Sequence, residues 1–219
     1  MDIYWYGQAC FKIKGKNATV VIDPFSPEFT GLKLPKDLQA DMVLTSHEHE
    51  DHNFSSAVVS AQGTKSMVFL RPGEYEVGGA VVTGINSFHD NSGGSERGMN
   101  TIFHLLFDGL DIVHLGDLGQ TKLTEEQVAQ IGQTDILMIP VGSVYTIDAK
   151  AASEIVAQLE PKIIIPMHYK IEGLKFEVEG VENFLKEMGA ENAVSQPKLS
   201  ITKDKLPEEP QVILLAKSS

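Results

Sequence analysis

SHEHEDH, residues 46–52, packs three of the chain's seven histidines and three carboxylates into seven positions. The residues before it, Met42-Val43-Leu44-Thr45, are apolar and partly β-branched, which reads as a short buried strand that stops where the polar run begins. The useful frame is H-x-H-x-D-H. In an extended segment side chains two residues apart share a side, so His47 and His49 can grip one ion, while Asp51 and His52, displaced along the loop, can reach a second. The helical zinc-protease pattern H-E-x-x-H does not apply, because the position it needs for its second histidine is Asp51.

A catalytic zinc-like ion takes about three or four protein ligands, so one loop cannot fill two sites. Other strand ends must supply donors, and three are available. His89 closes VVTGINSFH, Asp117 closes HLGD, and His168 closes KIIIPMH. Each stands where an apolar stretch gives way to a loop.

The remaining pattern organises around these exits. DIYWY, ACFKI and ATVVID are short strands separated by turn residues, and PFSPEFTGLKLPKDLQ is a proline-rich surface loop. SMVFL and AVVTGINSF continue the strands. Asp108-Gly109 between two apolar runs predicts a hairpin. The second half alternates strand and helix: LTEEQVAQI with Thr124 as N-cap, DILMIPV, then DAKAASEIVAQLE with Ala152, Ile155, Val156 and Leu159 at helical spacing. KIIIPMHY, the helix VENFLKEM and the strands SITKD and VILLA complete the chain, with the KDK run read as solvated surface. Two sheets with helices outside would satisfy both halves, an αββα sandwich in a single domain over residues 1–219.

Composition narrows the function. The charge is 18 − 30 = −12, which disfavours a nucleic-acid partner. The amino terminus lacks a basic segment followed by an apolar run, and no stretch of about 18 apolar residues could span a bilayer, so the expected compartment is the cytoplasm and no membrane partner is expected. Cys10, the single cysteine, is expected to be a small buried hydrophobe.

SHEHEDH, FHD, HLGD and PMHY, in that order, resemble the metallo-β-lactamase superfamily, and within it the branch that includes ascorbate-6-phosphate lactonase-like proteins. The resemblance covers nearly the whole chain, from IYWYGQACFKI through PVGSVYTIDAKAA to IIIPMHY. It implies the four-layer αββα fold, a first metal on His47, His49 and His89, a second on Asp51, His52 and His168, and Asp117 bridging the two. Asp51 and Asp117 are then the catalytic carboxylates, the cofactors are two divalent ions, zinc foremost with manganese or iron as alternatives, and Asp23 supports the metal loop. Relatives often carry His where this chain has Gln8.

Paired ions give hydroxide at neutral pH and polarise a carbonyl or phosphoryl oxygen. The expected function is hydrolysis, by a metal-bridging hydroxide, of a small anionic or carbonyl-bearing molecule: a lactone, ester, amide or phosphodiester. The alternative is a mononuclear-iron thiol or persulfide dioxygenase on the same fold, with a metal-binding module that has lost catalysis ranked last. Arg97, Asn100 and Thr101 are substrate-contact candidates, as are Ser143, Tyr145, Thr146 and Tyr169, and His104 and His114 are read as packed imidazoles, His114 near enough to Asp117 to support it.

Overall fold

The computed structural model describes residues 1–60 and 66–219. Its strands are β1 (Asp2–Gly7), β2 (Cys10–Lys14), β3 (Thr19–Ile22), β4 (Met42–Leu44), β5 (Met67–Phe69), β6 (Gly73–Val77), β7 (Ala80–Phe88), β8 (Met99–Phe107), β9 (Leu110–His114), β10 (Ile136–Pro140), β11 (Ile163–Met167), β12 (Leu199–Ser200) and β13 (Gln211–Val212). The first sheet runs β12-β1-β2-β3-β4-β5 and the second β13-β11-β10-β9-β8-β7-β6.

Period-two alternation explains how the first sheet is buried on both faces. Ile3, Trp5, Phe11, Ile13, Val20, Ile22, Met42 and Leu44 turn toward the second sheet and join a core that includes Val82, Ile102, Phe103 and Ile112. Their neighbours Tyr6, Cys10, Val21 and Val43 point the other way, into a smaller cluster with Phe25, Leu32, Leu38 and Leu174. Cys10 is thus a packed hydrophobe, its thiol pushed well up by burial. In the second sheet, parallel β10 and β11 are buried along their whole lengths, the signature of strands covered on both faces.

Strand direction assembles the polar residues. β3 and β4 are parallel, so their carboxyl ends emerge together. β9, β10 and β11 are parallel as well, and β7, antiparallel to β8 as β8 is to β9, runs with them. The exits carrying Asp23, His47, His89, Asp117 and His168 therefore share one edge of the sandwich.

Among the described residues four helices are formed: α1 (Pro27–Thr30), α2 (Glu125–Ile131), α3 (Ala149–Leu159) and α4 (Glu182–Glu187). The buried face of α3, Ala149, Ala151, Ala152, Ile155, Val156 and Leu159, belongs to the main core. The outer layer over the first sheet is mostly loop, with α1 as one short turn capped by Ser26 Oγ. The Asp108-Gly109 hairpin forms as expected, both residues at positive φ (52° and 79°).

Three local expectations are corrected. β6 has no counterpart in the sequence reading. SITKD yields only Leu199–Ser200 before a 3-10 turn over Lys203–Lys205, because Lys203 turns in to pair with Asp135 and Asp111 and is more than solvated surface. VILLA contributes Val212 to β13 and then pairs through single bridges. No helix among the described residues is long and apolar enough to cross a membrane.

Thr124 caps α2 reciprocally with Gln127: Gln127 N donates to Thr124 Oγ1 (3.1 Å), and Thr124 N donates to Gln127 Oε1 (2.9 Å). Gln127 Nε2 also donates to Asn86 O of β7 (2.8 Å), so the cap fixes the helix to its sheet. Thr124→Ala is expected to cost about 1 kcal/mol, read as a lower urea midpoint at unchanged slope.

Candidate metal centre

Asp23 follows β3 at positive φ (47°), buried, with no solvent to satisfy its carboxylate. Three donors converge on it: Ser46 N to Oδ1 (2.7 Å), Ser46 Oγ to Oδ2 (2.7 Å) and His52 Nδ1 to Oδ2 (2.9 Å). These bonds decide which ring nitrogens stay free. The single Ser46 hydroxyl proton goes to Asp23, so Ser46 Oγ can only accept from His47 Nδ1 (3.0 Å). His47 and His52 each use Nδ1 outward and turn Nε2 inward.

Residues 46–50 form bends instead of an extended strand, yet the rings meet as the spacing suggested, His47 Nε2 lying 3.0 Å from His49 Nδ1. His89 joins them, its ring centroid 4.7 Å from that of His47. Asp51, His52, Asp117 and His168 form a second group of buried donors; within each group the donor atoms lie within 4.8 Å of one another. Asp117 Oδ2 stands between the groups, 3.2 Å from His52 Nε2, 3.3 Å from His168 Nε2 and 3.5 Å from His89 Nε2. All seven residues singled out in the sequence are thus brought together.

Asp117 is held from its backbone. Its N–H donates to Asn100 Oδ1 (3.0 Å), and Gly116 N donates to His114 Nδ1 (3.1 Å), while His114 Nε2 donates to Ala9 O (2.9 Å). A Cβ on Gly116 (φ 57°) would strike Asn100 Oδ1 and Ser46, and one on Gly119 would strike the His89 backbone. HLGDLG is therefore wedged between two neighbouring strand exits, which fixes the carboxylate.

Charge is distributed unequally. Burial drives His47 well below the usual imidazole range and also lowers His89. Burial would lower His168 and His52 too, but Asp117 and its neighbours outweigh it, lifting His168 to about 9 and His52 well above its ordinary value. For Asp51 and Asp117 burial alone would raise the carboxyls. The facing imidazoles win, His52 foremost at Asp51 and His168 at Asp117, and hold both below the usual carboxylate range.

The donors fit a metal better than they fit each other. Asp117 Oδ1 and the Nε2 atoms of His52 and His168 are buried without a hydrogen-bond partner although carboxylates stand close by. A set of three histidines beside a set of two histidines and two aspartates is able to hold divalent metal.

Around the cluster lie two clefts, of about 460 Å³ and about 430 Å³, both lined by Glu48, His49 and Arg97. Tyr145 lines the first and Thr101 the second. Asn100 instead positions Asp117, Thr146 is buried, Ser143 lines neither cleft, and Tyr169 packs on Trp5 with ring centroids 5.1 Å apart. His104 pairs with Asp111 (3.0 Å), outside both donor groups. Phe29 and Phe176 line the first cleft and had no sequence signal, Phe29 standing in the single turn of α1 and Phe176 in a loop, both too short of regular structure for periodicity to show. Asp90 was also missed: its carboxylate accepts from the backbone N–H groups of Ser92, Gly94, Glu96 and Arg97, a loop-organising role that an Asp before a Ser/Gly-rich run could have announced. The Gln8 amide is buried without a partner, and its backbone oxygen accepts from Trp5 Nε1 (2.8 Å) and His168 N (3.2 Å).

Removing Asp23 would orphan three buried donors at once. Asp23→Ala is expected to lose about 3–5 kcal/mol of stability, measured by urea unfolding of the chelated protein, where metal loss cannot contribute.

Comparison with known proteins agrees with this arrangement. Residues 2–168 match the family model described as a beta-lactamase superfamily domain. A UPF0173 metal-dependent hydrolase from Thermoplasma acidophilum is 31% identical over 188 residues, covering 77% of this chain and 83% of that protein. A UPF0173 protein from Pyrococcus abyssi is 30% identical over 201 residues, covering 82% and 91%. A crystal structure from Thermotoga maritima, described as a candidate Zn-dependent hydrolase of the metallo-β-lactamase superfamily, is 36% identical with a TM-score of 0.76 over 98% of this chain and 97% of its own. Two stacked mixed sheets, a histidine and aspartate cluster at their common edge, and a family match over residues 2–168 establish that this chain belongs to the metallo-β-lactamase superfamily.

Proposed function

We propose that this metal-dependent hydrolase acts as a single domain with two divalent ions, zinc foremost, on a small anionic or carbonyl-bearing substrate such as a lactone, ester, amide or phosphodiester. The observation that carries the reading is the pair of donor groups meeting at Asp117 Oδ2. His47, His49 and His89 would hold one ion, Asp51, His52 and His168 the other, and Asp117 both. When bound, such a pair supplies a hydroxide nucleophile near neutral pH and Lewis acidity toward the scissile carbonyl or phosphoryl oxygen.

The chain's own residues prepare that chemistry. Asp23 and Ser46 keep the inward nitrogens of His47 and His52 as donors, and Asn100 keeps Asp117 on the shared axis. Cys10 is not a competing nucleophile, since it lies in the small cluster on the outer face of the first sheet. A one-ion dioxygenase on His47, His49, His89 and Asp117 would leave three buried donors, Asp51, His52 and His168, without a role.

Protein purified without chelator is expected to carry about two ions per chain, and Asp117→Ala to lose at least one, with hydrolysis down about a hundredfold or more. Element-resolved metal analysis checks this; unchanged content in the variant would overturn the shared role of Asp117.

Proton uptake gives an independent check. With His52 and His168 raised, both rings carry a proton near pH 7 in the metal-free chain, whereas His47 and His89, lowered, do not. Coordination needs neutral rings, so zinc loading at pH 7 should release about two protons from these rings, with up to about one more from a bound water, and affinity should fall as pH drops further. Calorimetry in buffers of different ionisation enthalpy measures the release; a value near zero contradicts the assignment of His52 and His168.

A further inference from the structure

The first cleft has an aromatic wall with a cation at its end. The His168 and Phe176 ring centroids lie 6.3 Å apart, Phe176 meets Tyr145 edge-on at 5.9 Å, and the Arg97 guanidinium carbon stands 5.0 Å over the Tyr145 ring. Phe29 extends the wall on the other side of Phe176, at 5.8 Å. Phe29 and Tyr145 remain 44% and 38% exposed, apolar surface left open beside a buried polar cluster. Such a wall can take a flat apolar group of a ligand reaching toward Asp117.

Arg97 is presented, not merely present. Asp90 Oδ2 accepts its backbone N–H (2.8 Å), and Arg97 Nη1 donates to Val144 O (3.1 Å) from the next strand exit. That bond uses one of five guanidinium donors, and the others have no protein acceptor among the described residues. Arg97 is the one Lys or Arg lining this cleft among the described residues, while Glu48 and Glu50 line it as well. A second negative charge on a ligand would meet those carboxylates.

We propose that the substrate is an amphipathic monoanion, one carboxylate, sulfonate or phosphate-type charge next to an aromatic or bulky apolar group, with Arg97 as the residue that selects the charge and Phe176 and Tyr145 those that take the apolar body. The proposal rests on the hydrolase reading for the location of the substrate. Its recognition chemistry is separable from the metal.

The test is a matched pair of fluorescent probes that share one aryl body, 1-anilinonaphthalene-8-sulfonate and the uncharged N-phenyl-1-naphthylamine, titrated into zinc-loaded and chelated full-length protein. Wild type is expected to bind the sulfonate about tenfold or more tighter than the neutral probe. Arg97→Gln, which keeps a polar side chain but carries no charge, should bring that ratio close to one, and Arg97→Lys should keep much of it. Phe176→Ala should weaken both probes alike and leave the ratio standing. A wild type without preference, or an Arg97→Gln protein with the full preference, would overturn the proposal. Because the ratio is read with and without zinc, its failure is distinguishable from a failure of the two-ion reading, which the metal count of Asp117→Ala reports separately.

Discussion

The Asp23 carboxylate binds the loop after β3 to the loop after β4, and the geometry of the centre depends on it. Its oxygens take Ser46 N, Ser46 Oγ and His52 Nδ1, so the first residue of SHEHEDH and the last are anchored to one buried group. Between those anchors Glu48 and Glu50 project into solvent, and the backbone is held besides by Ser26 N donating to Glu50 O (2.8 Å). Through Ser46 the same carboxylate fixes the ring of His47, which it does not touch. One anion thereby sets the tautomers of two histidines, a larger effect than a single hydrogen bond suggests.

The second sheet responds to that anchor. Thr101 N donates to Ser46 O (2.9 Å), and Asn100, one residue earlier on β8, receives Asp117 N. Loops from separate sheets are thus tied by backbone bonds before any ion is considered. The electrostatics follow from this crowding: at His47 and His89 burial outweighs the pull of Asp117 and the rings stay neutral, whereas His52 and His168 face carboxylates that outweigh burial and gain protons. A set of close, partly unbonded donors is costly to keep in a folded chain, and a binding role is what offsets the cost.

The approach to the centre is built differently from the centre itself. Its residues come from the segments between strands, Phe29 from the short helix α1, Arg97 from the turn that Asp90 organises, Tyr145 from the exit of β10 and Phe176 from the loop after β11. A shared fold with variable loops is how one metal-binding frame serves different substrates.

Much of this was legible in the sequence because it rests on local rules. Apolar runs that end in His or Asp mark strand exits, IYWY, CFKI and TVVI between turn residues mark short strands, and Asp108-Gly109 marks a hairpin. His89, Asp117 and His168 could be named for that reason, and His47, His49, Asp51 and His52 from the H-x-H-x-D-H spacing. Tertiary structure alone decided the rest. SITKD is cut short because Lys203 finds Asp135, 68 residues away in the chain, whereas β6 was legible and passed over, since Glu74-Tyr75-Glu76-Val77 alternates just before Gly78-Gly79. Asn100 looked like a substrate contact and became the support of Asp117, and Phe176 met Tyr145, because loop positions have no periodicity and their neighbours are fixed only when the sheets stack. The sequence by itself determined which chemistry the edge of the sandwich would carry, since ligand type and strand ends are local; the fold determined which side chains stand across from it, since that depends on contacts between distant segments.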